Sequence, residues 1–413
     1  MVFNRDFYLQ QLIDKENNGM IKIVSGIRRC GKSYLLDPLF KNYLIKKGVK
    51  NDHIIKIDLD ERKNKEYLDP DVLDTYIRSL ILDDDMYYVI LDEIQKVDDF
   101  ESVLNGFLHI DNLDVYVTGS NSKFLSSDIV TEFRGRGDEI HVYPLSFSEF
   151  FENYKGTKDE AFMEYIEYGG LPLSVLAKGE NNKINYLDNE RKRTYSKDII
   201  ERNGIQNEEE FNSLIEVISS SVGSLTNPLK LSRVFNNRDK KSTMTDKTIF
   251  KYIGCMEDAF LVEKSKRYDI KGKKYIETPY KIYFSDLGIR NSFLNFRQIE
   301  VTHLMENVIY NELRKRGYAV DIGVVEIRNK DNRIKTEIDF VCNYGSKKYY
   351  IQSALNIDDP DKQEQEFRPL INVNDFFKKI VITRDGSKIR RTEDGITIMN
   401  IYEFLLNENS LDL

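Results

Sequence analysis

Only three cysteines (Cys30, Cys255 and Cys342) and four histidines occur in the 413 residues. They are scattered, without metal-ligand spacing or a disulfide framework, which speaks against a structural metal and against a disulfide-stapled secreted fold. Long hydrophobic runs are missing too. No stretch approaches the roughly 20 apolar residues of a membrane span, and the opening MVFNRDFYLQQ lacks the pattern of a secretory signal. The expectation is a reduced, cytoplasmic protein without membrane association. Positive charge is also in short supply. With 61 Lys and Arg against 69 Asp and Glu, the net charge of −8 argues against a generally basic nucleic-acid binder. Between Lys230 and Lys281, however, 14 Lys and Arg stand against 7 Asp and Glu, a local excess of seven positive charges. Such a block docks on nucleic acid, lies on a solvated surface or meets an acidic neighbour, and composition leaves all three open.

What is present is enough for two or three soluble globular domains, with 40% hydrophobic and 31% charged residues over a length too great for one core. The first specific signal is VSGIRRCGKSYLL. MIKIVSG reads as a buried strand, and KSYLLDPLFKNYLIKKG reads as one helix closed by Gly48. Between them Gly26-Ile27-Arg28-Arg29-Cys30-Gly31-Lys32-Ser33 fits G-x-x-x-x-G-K-[ST] in its strand–loop–helix setting. Glycines let backbone N–H groups curl around phosphates, and the helix N-terminus adds a favourable dipole. Lys32 is the residue to reach the β- and γ-phosphates, and Ser33 is the magnesium ligand. Tyr34 follows at once and completes the expected cofactor-binding set. Arg28 and Arg29 read as loop surface or as contacts to neighbouring acids, and the Cys30 thiol is expected to be accessible when nucleotide is absent. The competing reading is a decayed loop kept for structure.

MYYVILDEIQKV adds weight to the functional reading. Its apolar run is that of a central strand buried on both faces, with Asp92 at the carboxyl end, where it can hold the magnesium shell. Glu93, directly after it, can polarise an attacking water. Two acids merely solvated in a turn are the alternative. Further strands are expected at HIIKIDLD, LDVYVTGSN and DEIHVYPL.

This order resembles the AAA+ ATPases, whose fourth strand inserts between the loop strand and the acidic strand. The resemblance implies ATP and Mg2+ as cofactors and a polar sensor at the end of VTGSN, with Asn121 preferred over Ser120. It also implies an arginine finger at Arg134 or Arg136, which would complete a neighbouring subunit's site and make the active unit a homo-oligomer. Two solvated loop arginines are the plainer reading. GIRRCGKSYLL, LDEIQKV, VTGSNS, YPLSFSEF and YGGLP, in this order, are similar to a family of bacterial and archaeal AAA-type ATPases with an uncharacterised C-terminal domain.

The expected organisation is an α/β AAA+ core with a parallel sheet over 1–150, a helical lid or linker over 151–205, a winged helix-turn-helix over 206–300 and a nuclease-like α/β domain over 301–413. NPLKLSRVFNN and TMTDKTIFKYIGCMEDAFLVEK supply two helices, and the stretch around Lys271-Gly272-Lys273 a hairpin wing. Lys247, Lys251, Lys266, Arg267, Lys271, Lys273 and Lys274 are candidate DNA contacts, with protein docking the equal alternative. The last part resembles the restriction-endonuclease-like fold. That resemblance implies a metal site of a helix Glu, a strand Asp and an E-x-K on the next strand. Glu306 and Asp339 match the first two positions, but the third reads Gln352-Ser353-Ala354. Without a lysine near that position the expectation is a nuclease-like fold that does not cut, with Glu306, Asp339 and Gln352 as remnants. The leading functional reading is a magnesium-dependent ATPase that remodels or regulates binding to DNA or a protein. A nucleotide-gated switch and an ATP-coupled nuclease are the alternatives.

Overall fold

In the computed structural model, which describes residues 3–119, 135–238, 242–329, 332–386 and 388–413, the chain divides into two units. The first comprises Met1–Pro144 and Asp258–Phe260. Its strands are β1 (Ile21–Ser25), β2 (Ile54–Asp58), β3 (Tyr87–Asp92), β4 (Leu113–Thr118) and β5 (Gly137–His141). They form one sheet in the order β2-β3-β4-β1-β5, every pairing parallel. Continuous apolar runs suit strands covered on both faces, and β1 and β3 are buried at every position. One face packs Ile23, Val89, Leu91, Val115 and Val117 against Leu73 and Ile77 of the Pro70–Ser79 helix and Leu104 and Phe107 of the Phe100–Phe107 helix. Because β4 lies between β1 and β3, the carboxyl ends of all three converge on one edge.

The helix expected as a single piece after the glycine loop is interrupted. It starts as Lys32–Tyr34, loses helical geometry at Asp37 (φ −142°, ψ 112°) and resumes as Lys41–Lys47 before Gly48. Pro38 is the cause: its ring pushes the preceding residue out of the helical region, and it has no N–H to donate.

The second unit comprises Leu145–Glu257 and Leu261–Leu413. Helices dominate its first part, among them Lys158–Tyr168, Glu208–Ser220, Pro228–Arg238 and Asp246–Asp258. Asn227 caps the third through the N–H groups of Leu229 and Lys230, and Thr245 caps the fourth through the Thr248 N–H. An eight-stranded sheet follows, built from β6 (Val262–Asp269), β7 (Lys274–Phe284), β8 (Ala319–Asn329), β9 (Asn332–Tyr344), β10 (Lys347–Ala354), β11 (Lys378–Thr383), β12 (Arg390–Arg391) and β13 (Ile396–Asn400). The order is β12-β13-β11-β10-β9-β8-β6-β7. The hairpin expected as a wing is thus the β6–β7 edge of this sheet, with Arg267–Asp269 paired in parallel to Ile322–Val324. A division at residue 300 crosses a single sheet. The Pro360–Ile371 helix, capped by Asp359, supplies the crossover that the parallel pair β10 and β11 requires.

The strings YPLSFSEF and YGGLP meet in this unit. Leu145 donates its N–H to the Gly170 carbonyl at 2.8 Å, and the Asp286 carboxylate accepts from the Gly170 N–H at 2.8 Å and the Ile289 N–H at 2.9 Å. A Cβ on Gly170 would fall 2.2 Å from the Leu145 carbonyl oxygen, so only glycine fits. Burial pushes the Asp286 carboxyl up to about 6, against the downward pull of the backbone N–H groups around it.

Candidate functional site

The residues expected to handle phosphate lie in the first unit, where β1, β3 and β4 end. At the end of β1, Ser25 fixes the point where the chain leaves the sheet. Its hydroxyl lies 2.6 Å from Glu139 Oε1 and 2.9 Å from His141 Nδ1, both on β5. Gly26 then turns with φ +134°, and a Cβ there would lie 2.1 Å from the Val142 carbonyl oxygen, so no other residue can open this loop. Arg29 (φ 68°) and Gly31 (φ 102°) take left-handed conformations that curl the loop into the Lys32 helix. The Lys32 ammonium is buried and donates to the carbonyls of Gly26 at 2.9 Å and Ile27 at 3.1 Å. Ser33 and Tyr34 are exposed beside it. Arg29 is exposed and Arg28 half-buried, and a Lys96 hydrogen bond, aided by the charges of Arg28 and Arg29, holds the Asp60 carboxyl below its usual range. Cys30 departs from expectation. It is fully buried, with Sγ packed under Gly26, because the Ile27–Cys30 turn folds the side chain into the unit.

Asp92 and Glu93 stand at the end of β3. The Thr118 hydroxyl, at the end of β4, donates to Asp92 Oδ1 and accepts from the Glu93 N–H at 2.9 Å. Thr118 is fully buried and Asp92 nearly so. Glu93 is half-buried in a left-handed conformation (φ 57°), and its carboxylate accepts from the Gln95 amide. Neither Thr118 nor Gln95 was expected from the sequence. The donor set fits a nucleoside triphosphate with magnesium: a hydroxyl and a carboxylate suited to a hard cation, an ammonium for phosphate, and a second carboxylate one residue on.

A second cluster lies in the second unit. Glu306 of the Val301–Lys315 helix, Asp339 of β9 and Gln352 of β10 come together there. The Asp339 N–H donates to Gln352 Oε1 at 3.3 Å, the Ser353 N–H donates to Asp339 Oδ2 at 2.9 Å, and Gln352 Nε2 donates to Glu366 at 2.8 Å. Lys281 of β7, not foreseen in this role, joins them. Its ammonium is 2.7 Å from Glu306 Oε1 and 3.3 Å from Asp339 Oδ1. The Tyr283 hydroxyl donates to Glu306 Oε1 at 2.6 Å. Burial alone would lower the Lys281 pKa, but the charges of Asp339 and Glu306 outweigh it and hold the ammonium above its usual value. Glu306 is raised by its burial despite Lys281, because one cation serves two acids.

The profile of the AAA domain matches residues 18–151, and two domains of unknown function, DUF8612 and DUF4143, match 159–300 and 301–404. An uncharacterized protein of Haemophilus influenzae is 32% identical over 98% of this chain and 99% of its own length. This chain belongs to that protein's family, a family of P-loop AAA-type ATPases. An uncharacterized Methanocaldococcus jannaschii protein shares 26% identity over 88% of this chain and 80% of its own. A Walker-type ATPase of Pyrococcus abyssi superposes with a TM-score of 0.50 at 14% identity, covering 71% of this chain and 96% of its own, a likeness of fold alone.

Within this AAA-type ATPase the other expected residues are placed as follows. Asn121 and Arg134 lie outside the described residues. Arg136 is exposed, and its carbonyl accepts from the Ile21 N–H, so it stands at the amino end of the sheet. At about 3.3 Å per residue it is some 20 Å along the strand from the glycine loop of the same chain, and the two are not brought together. Lys247, Lys251, Lys266, Lys271, Lys273 and Lys274 are exposed, whereas Arg267 pairs with Glu337 at 2.9 Å. Among the described residues no helix is long and apolar enough to cross a membrane.

Proposed function

We propose that this AAA-type ATPase hydrolyses ATP with magnesium and uses the cycle to alter how its second unit engages DNA or a protein partner. The observation that carries the reading is the Thr118 bridge. A buried hydroxyl locks Asp92 and the Glu93 backbone together at the sheet edge that also bears the Gly26–Gly31 loop. In this reading the loop N–H groups receive the phosphates, and Lys32 leaves its two loop carbonyls for the β- and γ-oxygens. Ser33 and Asp92 would hold the magnesium, whose charge offsets that of the phosphate oxygens. Glu93 takes a proton from the attacking water. Asn121 is the assigned sensor, and Arg134 or Arg136 the finger offered to a neighbouring copy of the chain. The exposed turn of Lys271, Lys273 and Lys274 supplies the phosphate contacts in a DNA complex.

The hydrogen bond from Gln95 to Glu93 favours a second reading, a nucleotide-gated switch with negligible turnover, since a carboxylate held by an amide donor is a weaker base. Steady-state phosphate release, with and without DNA, separates the two. The decisive variant is Glu93→Gln. It should bind ATP like the parent and turn it over about 10²–10⁴-fold more slowly. Turnover equal to the parent's removes Glu93 from the mechanism.

A further inference from the structure

A restriction-endonuclease-like fold implies a divalent metal at Glu306, Asp339 and the end of β10, and the residues present do not fit one. A hard divalent ion needs carboxylate oxygens at about 2.0–2.6 Å with space between them. Here that space is bounded by Glu306 Oε1 and Asp339 Oδ1, and the Lys281 ammonium lies against both, at 2.7 and 3.3 Å. Two further potential ligand atoms are engaged as well, and Glu306 Oε1 has a second donor. Glu306 Oε1 also accepts from Tyr283, Asp339 Oδ2 from the Ser353 N–H, and Gln352 Oε1 from the Asp339 N–H. Lys281, Glu306 and Gln352 are 6%, 7% and 8% exposed, which leaves little room for water to relieve an added charge.

We propose that the Lys281 ammonium is a built-in cation in the place of the metal. It turns the carboxylate cluster into a fixed ion-paired brace between β7, the Val301–Lys315 helix and β9. Removing it opens a site for an oxygen-ligated divalent cation such as Mn2+. A metal cannot enter beside the lysine, because two cations would share one small, buried space at full repulsion. The assignment stands whether or not the nucleotide site hydrolyses ATP.

The test is Mn2+ binding to the full, nucleotide-free chain, read by electron paramagnetic resonance of the free ion. The parent and Glu306→Gln should bind the same number of Mn2+ ions. Lys281→Ala and Lys281→Met should each bind one more, and adding Glu306→Gln to Lys281→Ala should abolish the gain. A parent Mn2+ ion lost in Glu306→Gln overturns the proposal, as does a folded Lys281→Ala or Lys281→Met that binds no more than the parent. If neither lysine variant folds, the comparison of parent with Glu306→Gln still decides. Plasmid cleavage by the parent in Mn2+, abolished in Glu306→Gln, is equally fatal.

Discussion

Replacing Thr118 by valine keeps the shape of the side chain and deletes one hydroxyl. That hydroxyl is fully buried and serves two partners, Asp92 Oδ1 and the Glu93 N–H. Without it the carboxylate loses a charge-assisted bond of about 1.5–3 kcal/mol, and the amide loses its acceptor at about 1–3 kcal/mol. These losses overlap, and a local cost near 3 kcal/mol is reasonable. Much of it falls on the position of Glu93, whose left-handed backbone no longer has its anchor. If one to two powers of ten in rate follow, the corresponding barrier change is about 1.4–2.7 kcal/mol, within the bonding lost. Thr118→Val should therefore lower kcat for phosphate release about 10–100-fold. ATP affinity should stay within about 3-fold, because the glycine loop and Lys32 make no use of Thr118. Thr118→Ser keeps the hydroxyl and should recover most of the rate. Parental kcat in Thr118→Val refutes the reasoning. A Thr118→Ser variant as slow as Thr118→Val would show that the hydroxyl alone does not suffice and that the methyl group is needed beside it.

Two further outcomes follow from buried groups. Asp286 is fully buried and titrates at about 6, above its usual 3.8, so folding favours its neutral form. Its contribution is complete below about pH 4 and is lost as pH rises through 6, with a span on the order of 2–3 kcal/mol. The stability advantage of the parent over Asp286→Asn in urea should thus shrink between pH 4.5 and 7; an advantage that grows instead would mean the backbone N–H groups dominate. Cys30, Cys255 and Cys342 form no disulfide, and all three are buried. A thiol reagent should leave the native chain almost unlabelled and modify three thiols after denaturation, and one fast thiol per native chain would contradict the buried loop cysteine.

The nucleotide end was largely legible because its signals are local. A glycine loop between a strand and a helix, and an acidic pair ending an apolar strand, are contiguous in the chain. The break at Asp37 was legible too, since a residue before proline rarely stays helical, but the apolar spacing on both sides hid it. Thr118 was not. Its place opposite Asp92 follows from the register, in which Leu91 pairs with Val117, and register is a property of two strands. The local sequence instead points to Ser120 and Asn121, the polar residues that end VTGSN.

The basic window from Lys230 to Lys281 shows what a charge count leaves out. Lys271, Lys273 and Lys274 sit on a turn and are exposed, whereas Lys281 lies in YKIYF, among side chains that are all buried. A lysine inside an unbroken apolar run must pair with an acid or lose its charge, so the local pattern did mark it as inward. What it could not mark was the partner, 25 residues on for Glu306 and 58 for Asp339. No lysine stands near Ala354 in the sequence, yet one is present in the cluster, delivered from β7. Under the proposal its position against both carboxylates would keep a metal out by an occupied cation position, not by a missing residue. The acids matched by DUF4143 at 301–404 and the lysine matched by DUF8612 at 159–300 belong to one site, so neither stretch read alone can say what that site holds.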